Sequence, residues 1–238
     1  MKVQSLWIGN KLSNLEILTI NSYIKNNIDF ELYTYDNIIN LPKDVIIKDG
    51  NKILPKSDIF CYQVGKGKGS FSAFSNIFRY KLLYENGGIW VDMDLVCLKK
   101  FSINNEYVFA SELDLQKKSS VASCFIKSPK KSDLFNWAYK KSITHDKNTL
   151  KWSVIGPTLL SKAINKFNLN KFIKNYKTFC PLGFKDWNQL IEPNKNINLD
   201  NSFCIHLWNE KWRRGGIDKN NEFDTDCLYE QLKIKYNN

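Results

Sequence analysis

The chain has 238 residues, 43% of them apolar, and a formal net charge of +11 from 35 basic and 24 acidic side chains. That length and apolar share support one substantial core and exclude a disordered chain. No apolar run reaches the length of a membrane-spanning helix, and Met1-Lys2 leads almost directly into an apparent strand, with no cleavable leader expected. The positive excess suits nucleic acid, nucleotide donors, anionic glycans or an anionic membrane leaflet. The lysines are dispersed, however, and no nucleic-acid motif is present, so nucleic acid is not the expected partner. Cys61, Cys97, Cys124, Cys180, Cys204 and Cys227 are scattered with no paired C-x-x-C. Reduced core thiols in a cytosolic protein are favoured over disulfides or zinc.

In chain order the pattern predicts a strand over 6–8, a helix over 15–26, a strand over 30–35, and a looser segment to Lys68. Gly65-Lys66-Gly67-Lys68-Gly69-Ser70 lacks the spacing of a phosphate loop and reads as a flexible lead into the next helix. That helix starts at Phe71. Phe71, Phe74, Phe78 and Leu82 fall on one side and Ala73, Ile77, Tyr80 and Tyr84 nearly opposite. Ser72, Ser75, Asn76 and Arg79 form a narrow polar strip between them. A helix apolar on two sides is buried, so the strip lies inside the protein or lines a cleft. Asn86-Gly87-Gly88 suits a left-handed stop, and Ile89-Trp90-Val91 reads as a short buried strand. Asp92 and Asp94 follow at its end. Further strands are expected over 107–112 and 119–126, paired across Lys117-Lys118, then helices over 133–141 and 158–165, the second preceded by Pro157. The alternation predicts an α/β fold in a single domain over 1–238.

Two nearby carboxylates repel unless a cation neutralises them or one is protonated. Their hard oxygens suit Mg²⁺ or Mn²⁺. A buried Arg79 also needs an anion, which an internal carboxylate or a bound phosphate would supply. A bare Asp-x-Asp is common in surface turns. Following a glycine-stopped helix that carries an arginine, it becomes specific.

The run Ser75-Asn-Ile-Phe-Arg-Tyr-Lys-Leu-Leu-Tyr-Glu-Asn-Gly-Gly-Ile-Trp-Val-Asp-Met-Asp94 resembles the sugar-binding region of DXD glycosyltransferases. It is most similar to glycosyltransferase family 32, including capsular-polysaccharide-type enzymes, and more distantly similar to the large glucosylating toxins. Segments 5–9, 30–36 and 206–209 agree in order. The resemblance implies a GT-A-like fold with a mixed central sheet and metal-dependent, retaining transfer of a sugar from a nucleotide donor, UDP-linked by analogy. The acceptor would be a glycan or lipid-linked glycan in surface polysaccharide synthesis, with the protein cytoplasmic or peripheral at the inner membrane face.

The same resemblance places Asp92 by the donor and metal, Asp94 on the metal, and Arg79 by the sugar or diphosphate with Ser75 beside it. It places Trp7 at the base, and His206 or Asn209 in the metal or phosphate shell; a structural, hydrogen-bonded role for His206 is equally open. Trp208 falls in 204–216, a stretch that could close over bound donor. One position departs from the family, which has Asp where this chain has Asn76. An amide can bind sugar hydroxyls but cannot act as a carboxylate nucleophile, which favours a front-face route. The expected catalytic set is Arg79, Asp92 and Asn76. The alternatives are a nucleotide-sugar hydrolase and a noncatalytic glycan- or nucleic-acid-binding protein.

Overall fold

The computed structural model describes residues 1–237. Its elements are β1 (Lys2–Trp7), α1 (Asn14–Lys25), β2 (Asp29–Thr34), β3 (Ile46–Asp49), α2 (Ser72–Asn86), β4 (Gly88–Val91) and β5 (Leu95–Cys97). There follow β6 (Val108–Leu113), β7 (Ser119–Ser128), α3 (Asp133–Ser142), α4 (Pro157–Lys166), β8 (Cys204–His206), α5 (Asn209–Gly215) and α6 (Leu228–Asn237). Six strands form a mixed sheet in the order β3-β2-β1-β4-β7-β6. The first four run parallel to one another, and β7 and β6 are antiparallel to their neighbours.

Side-chain alternation assigns the two faces of this sheet. Trp90 packs with Phe74, Phe78 and Tyr80 of α2 and with α3 and α4. Its neighbours Ile89 and Val91 pack on the other face with Tyr23 of α1, Phe30 and Phe125. The helix with two apolar sides is therefore buried as the wheel requires, because it lies between the sheet and α3. Its polar strip ends at the carboxyl edge of β4. Gly87 and Gly88 make the tight connection, with φ of 64° and 89°.

The structure adds elements that the pattern did not suggest. Ile46 to Asp49, within the expected loose segment, forms a largely exposed edge strand on β2. A second, two-stranded sheet pairs β5 with β8 and sets Leu95 opposite His206. The expected 107–112 and 119–126 pair is present, with Lys117 at positive φ in the turn. Its register jumps between Phe109↔Ile126 and Ala110↔Ala122, so 123–125 have no counterpart on β6. Such a bulge re-aims side chains and carbonyls, and bulges concentrate beside functional sites.

Candidate active site at the carboxyl edge of the sheet

β4 stops at Val91, and Asp92-Met93-Asp94 forms a turn in which the Leu95 amide donates to the Asp92 carbonyl at 3.1 Å. Arg79 reaches this turn from α2. Its Nη2 lies 2.9 Å from Asp92 Oδ1 and donates to Ser75 Oγ at 3.3 Å, and its Nη1 donates to the Ser123 carbonyl at 2.7 Å. The guanidinium carbon sits 4.8 Å from the centre of the Trp90 ring, whose Nε1 donates to the same Asp92 oxygen at 2.7 Å. Arg79 is thus anchored on an internal carboxylate, one of the two options the sequence left open. Its Nε is buried with no hydrogen-bond partner.

The bulge supplies the other wall. Ser123 gives the carbonyl that holds Arg79, and the Cys124 carbonyl accepts from the Asp92 amide at 2.9 Å. Neither residue was singled out from sequence for this site. A bulge depends on register, and no local pattern marks it.

Asp94 is held from the other end of the chain. The Asn209 amide donates to its Oδ2 at 2.8 Å, His206 Nε2 lies 3.2 Å from the same oxygen, and the Leu207 amide donates to its carbonyl. Burial alone would raise the Asp94 pKa, but contact with His206 and the Asn209 amide holds it below the usual carboxylate value. Burial likewise opposes charge on His206, yet the Asp94 carboxylate prevails and lifts the imidazole to about 10. Asp92 is raised, chiefly by burial, with Asp94 adding and Arg79 opposing. One ligand atom from each of Asp92, Asp94 and His206 lies within 4.8 Å of the others. In this arrangement Arg79 beside Asp92 and His206 beside Asp94 offset the repulsion between the two carboxylates.

Asn76 is buried on α2 beside Gly156, where an added Cβ would lie 2.9 Å from its Nδ2. Tyr80 Oη donates to the Gly156 carbonyl at 3.0 Å, so the Gly156-Pro157 turn is clasped against α2. Trp7 lies at the carboxyl end of β1, half-buried, its Nε1 donating to the Lys11 carbonyl. Trp208 is a left-handed residue (φ 57°) whose indole donates to the Leu182 carbonyl at 3.1 Å and lies 4.1 Å from the His206 ring.

The stretch 204–216 has two unlike parts. Cys204, Ile205 and Leu207 are fully buried core, and the exposed part begins in α5, where Arg213 pairs with Glu210 and donates to the Lys68 carbonyl. The physical reason is the strand pairing with β5, which makes 204–206 part of the scaffold.

Glu112 lies half-buried on β6. Burial pushes its carboxyl up to about 7, with His206 opposing and Asp92 adding. Nothing in its local sequence signals this; the β6–β7 pairing creates it.

Fold and site together define a mixed α/β protein with a cluster of two carboxylates and an imidazole, able to hold a metal ion, at the carboxyl edge of its parallel strands. Residues 13–110, which include Arg79, Asp92 and Asp94, match the family described as "Glycosyltransferase sugar-binding region containing DXD motif". Lactosylceramide 4-alpha-galactosyltransferase of Rattus norvegicus is 23% identical over 177 residues, covering 68% of this chain and 46% of the rat protein. The Mus musculus protein of the same name is 22% identical over 177 residues, with the same coverage. The chain thus spans about half the length of these curated relatives. Among solved structures, the PaToxG glycosyltransferase aligns with 99% of this chain and 84% of its own at 15% identity and a TM-score of 0.48. A transferase solved as a cysteine-to-serine double mutant aligns with 82% and 92% at 11% identity and a TM-score of 0.46.

Proposed function

We propose that the chain is a metal-dependent, retaining glycosyltransferase that moves a hexose from a nucleotide sugar, UDP-linked, to a glycan or lipid-linked glycan acceptor. The observation that carries this reading is the convergence of Asp92, Asp94 and His206 beside Arg79 at the carboxyl edge of the sheet, where α/β folds bind their ligands. The donor set fits a hard divalent ion such as Mn²⁺ or Mg²⁺: two carboxylates and an imidazole, at spacings an ion can bridge. The orphaned Arg79 Nε supports an anionic ligand as well, since buried donors are rarely left unpaired.

In that reading Asp92, Asp94 and a deprotonated His206 would hold the ion. When bound, it supplies positive charge to the diphosphate of the departing nucleotide. Arg79, locked by Ser75, Ser123, Asp92 and the Trp90 face, is preorganised to stabilise the same developing charge without reorganising. Asn76 binds sugar hydroxyls. Lacking a carboxylate, it forms no covalent sugar adduct, which leaves attack on the face of the leaving group as the retaining route. Trp7 stacks near the base and Trp208 borders the donor. The rat and mouse relatives are named for galactosyl transfer to lactosylceramide. A hexose donor and a glycan-bearing lipid acceptor in surface polysaccharide synthesis are the corresponding proposal here.

A thermal-shift screen of nucleotide sugars with and without Mn²⁺ tests the reading. One nucleotide sugar is expected to raise Tm only when Mn²⁺ is present, and Asp94→Ala to abolish that shift while keeping the native circular dichroism. No shift with any donor overturns the proposal. Nucleotide release that no acceptor accelerates would make the protein a nucleotide-sugar hydrolase instead.

A further inference from the structure

His206 belongs to a second group of ligand atoms. The sulfurs of Cys124 and Cys180 are 3.4 Å apart, and with one nitrogen of His206 they all lie within 4.8 Å of one another. Both cysteines are completely enclosed, at 1% and 0% exposure, and His206 is 9% exposed. The bulge in β7 brings Cys124 here, and the end of the short 3-10 turn Tyr176–Thr178 brings Cys180.

The two nitrogens of the imidazole are in unlike situations. Nε2 is held by Asp94 at 3.2 Å, whereas Nδ1 is buried and has no hydrogen-bond partner. Metal-binding imidazoles show this division of labour: a carboxylate fixes the tautomer through one nitrogen and the other nitrogen binds the ion. Asp94 is itself fixed by the Asn209 amide, so the ring orientation is supported two bonds deep.

We propose that Cys124, Cys180 and His206 form a binding site for a thiophilic divalent cation of the zinc type, with Asp94 orienting the imidazole. Two sulfurs and an imidazole favour zinc over magnesium or manganese. Zinc–sulfur bonds of about 2.3 Å in tetrahedral geometry place neighbouring sulfurs about 3.8 Å apart, so the pair at 3.4 Å opens by only about 0.4 Å. Each thiol releases its proton to solvent as its sulfur binds. The imidazolium likewise releases its Nδ1 proton to solvent, so that Nδ1 binds through its lone pair while Nε2 keeps the hydrogen that it donates to Asp94.

This site is distinct in chemistry from the acidic pair but shares a ring with it. An imidazole that donates from Nε2 to Asp94 cannot also ligate a hard ion through Nε2. Zinc in the sulfur site therefore weakens Mn²⁺ uptake at Asp92 and Asp94. That coupling rests on the glycosyltransferase reading; the sulfur site does not.

The reduced full chain titrated with Co²⁺, then with Zn²⁺, tests the proposal. Co²⁺ is expected to bind in one equivalent with a thiolate charge-transfer band, which Zn²⁺ erases. Cys124→Ser and Cys180→Ser should each weaken binding at least about 10-fold, the scale of losing even an orienting partner, and Cys61→Ser should not. Zinc K-edge absorption on the unmutated chain needs no variant to fold and should show two sulfur neighbours at about 2.3 Å. A shell of oxygen and nitrogen alone overturns the proposal, as does a charge-transfer band that both serine variants retain. In Asp92→Asn the Co²⁺ band should persist while Mn²⁺-dependent nucleotide binding is lost. Loss of the band there would move the ion to the acidic pair and overturn the sulfur site without touching the proposed activity.

Discussion

Arg79 commits both terminal nitrogens to protein partners and still keeps its Nε buried and unpaired. A lysine at this position keeps the charge but loses the fork that spans Ser123, Ser75 and Asp92. Arg79→Lys is therefore expected to lower kcat about 10²–10³-fold, the scale of removing one preorganised charge stabiliser, with a near-native circular dichroism spectrum. An unchanged kcat would remove Arg79 from the chemistry. Glu112 makes a prediction of opposite kind. Burial disfavours the charge and pushes its carboxyl up to about 7 in the fold, above the ordinary 4.5. The folded state thus holds this proton more tightly than the unfolded chain does. Stability from this group is full below about 4.5 and is lost as pH rises through about 7. Glu112→Gln removes that loss, so its urea midpoint should gain on the parent's between pH 5 and pH 8. A gap that is constant with pH would show that Glu112 is not a buried titrating acid.

At the scale of elements, the site depends on how α2 hands the chain to β4. Gly87 adopts φ 64° and ψ −156°, a region essentially restricted to glycine, and a Cβ there would run into the Lys130 amide. Gln4 Nε2 donates to the Gly87 carbonyl, tying the turn to β1. Gly87→Ala is expected to cost about 1–3 kcal/mol in denaturant unfolding. It should also reduce Mn²⁺-dependent nucleotide binding, since Arg79 and Asp92 lie on the two sides of this turn. A variant as stable as the parent would mean that the turn relaxes without strain. The short β5–β8 pair has the same importance, although its sequence is unremarkable. Leu95↔His206 and the Leu207 amide on the Asp94 carbonyl set the imidazole beside the second aspartate. Neither strand exceeds three residues, so no periodicity could announce them.

For the whole molecule, the mixed sheet places core on both faces and keeps the carboxyl edge of its parallel strands for chemistry. The net charge of +11 is a property of the entire surface rather than of the site. No helix among the described residues is long and apolar enough to cross a membrane. A charge of this size is expected to hold the protein on anionic vesicles at low salt and release it as ionic strength rises toward about 0.3 M, where screening is strong. Co-sedimentation with anionic and neutral vesicles over a salt series measures it. Equal binding to neutral vesicles would point away from charge.

The segment from Phe71 to Asp94 was legible from residues alone because its information is local. A helical wheel with a polar strip, a double glycine and a β-branched strand each constrain their own backbone, and together they order Ser75, Asn76, Arg79, Asp92 and Asp94 along the chain. Sequence could also exclude a carboxylate nucleophile at Asn76. It could not say that Arg79 rests on Asp92, that Ser123 and Cys124 line the site through a bulge, or that Glu112 is half-buried. Nor could it set His206 beside Asp94, or show that Cys124 and Cys180 lie side by side beside its ring. Those contacts join segments tens to more than a hundred residues apart. Sheet register and packing across the two cores decide them, and a single residue of slip would turn each side chain to the opposite face.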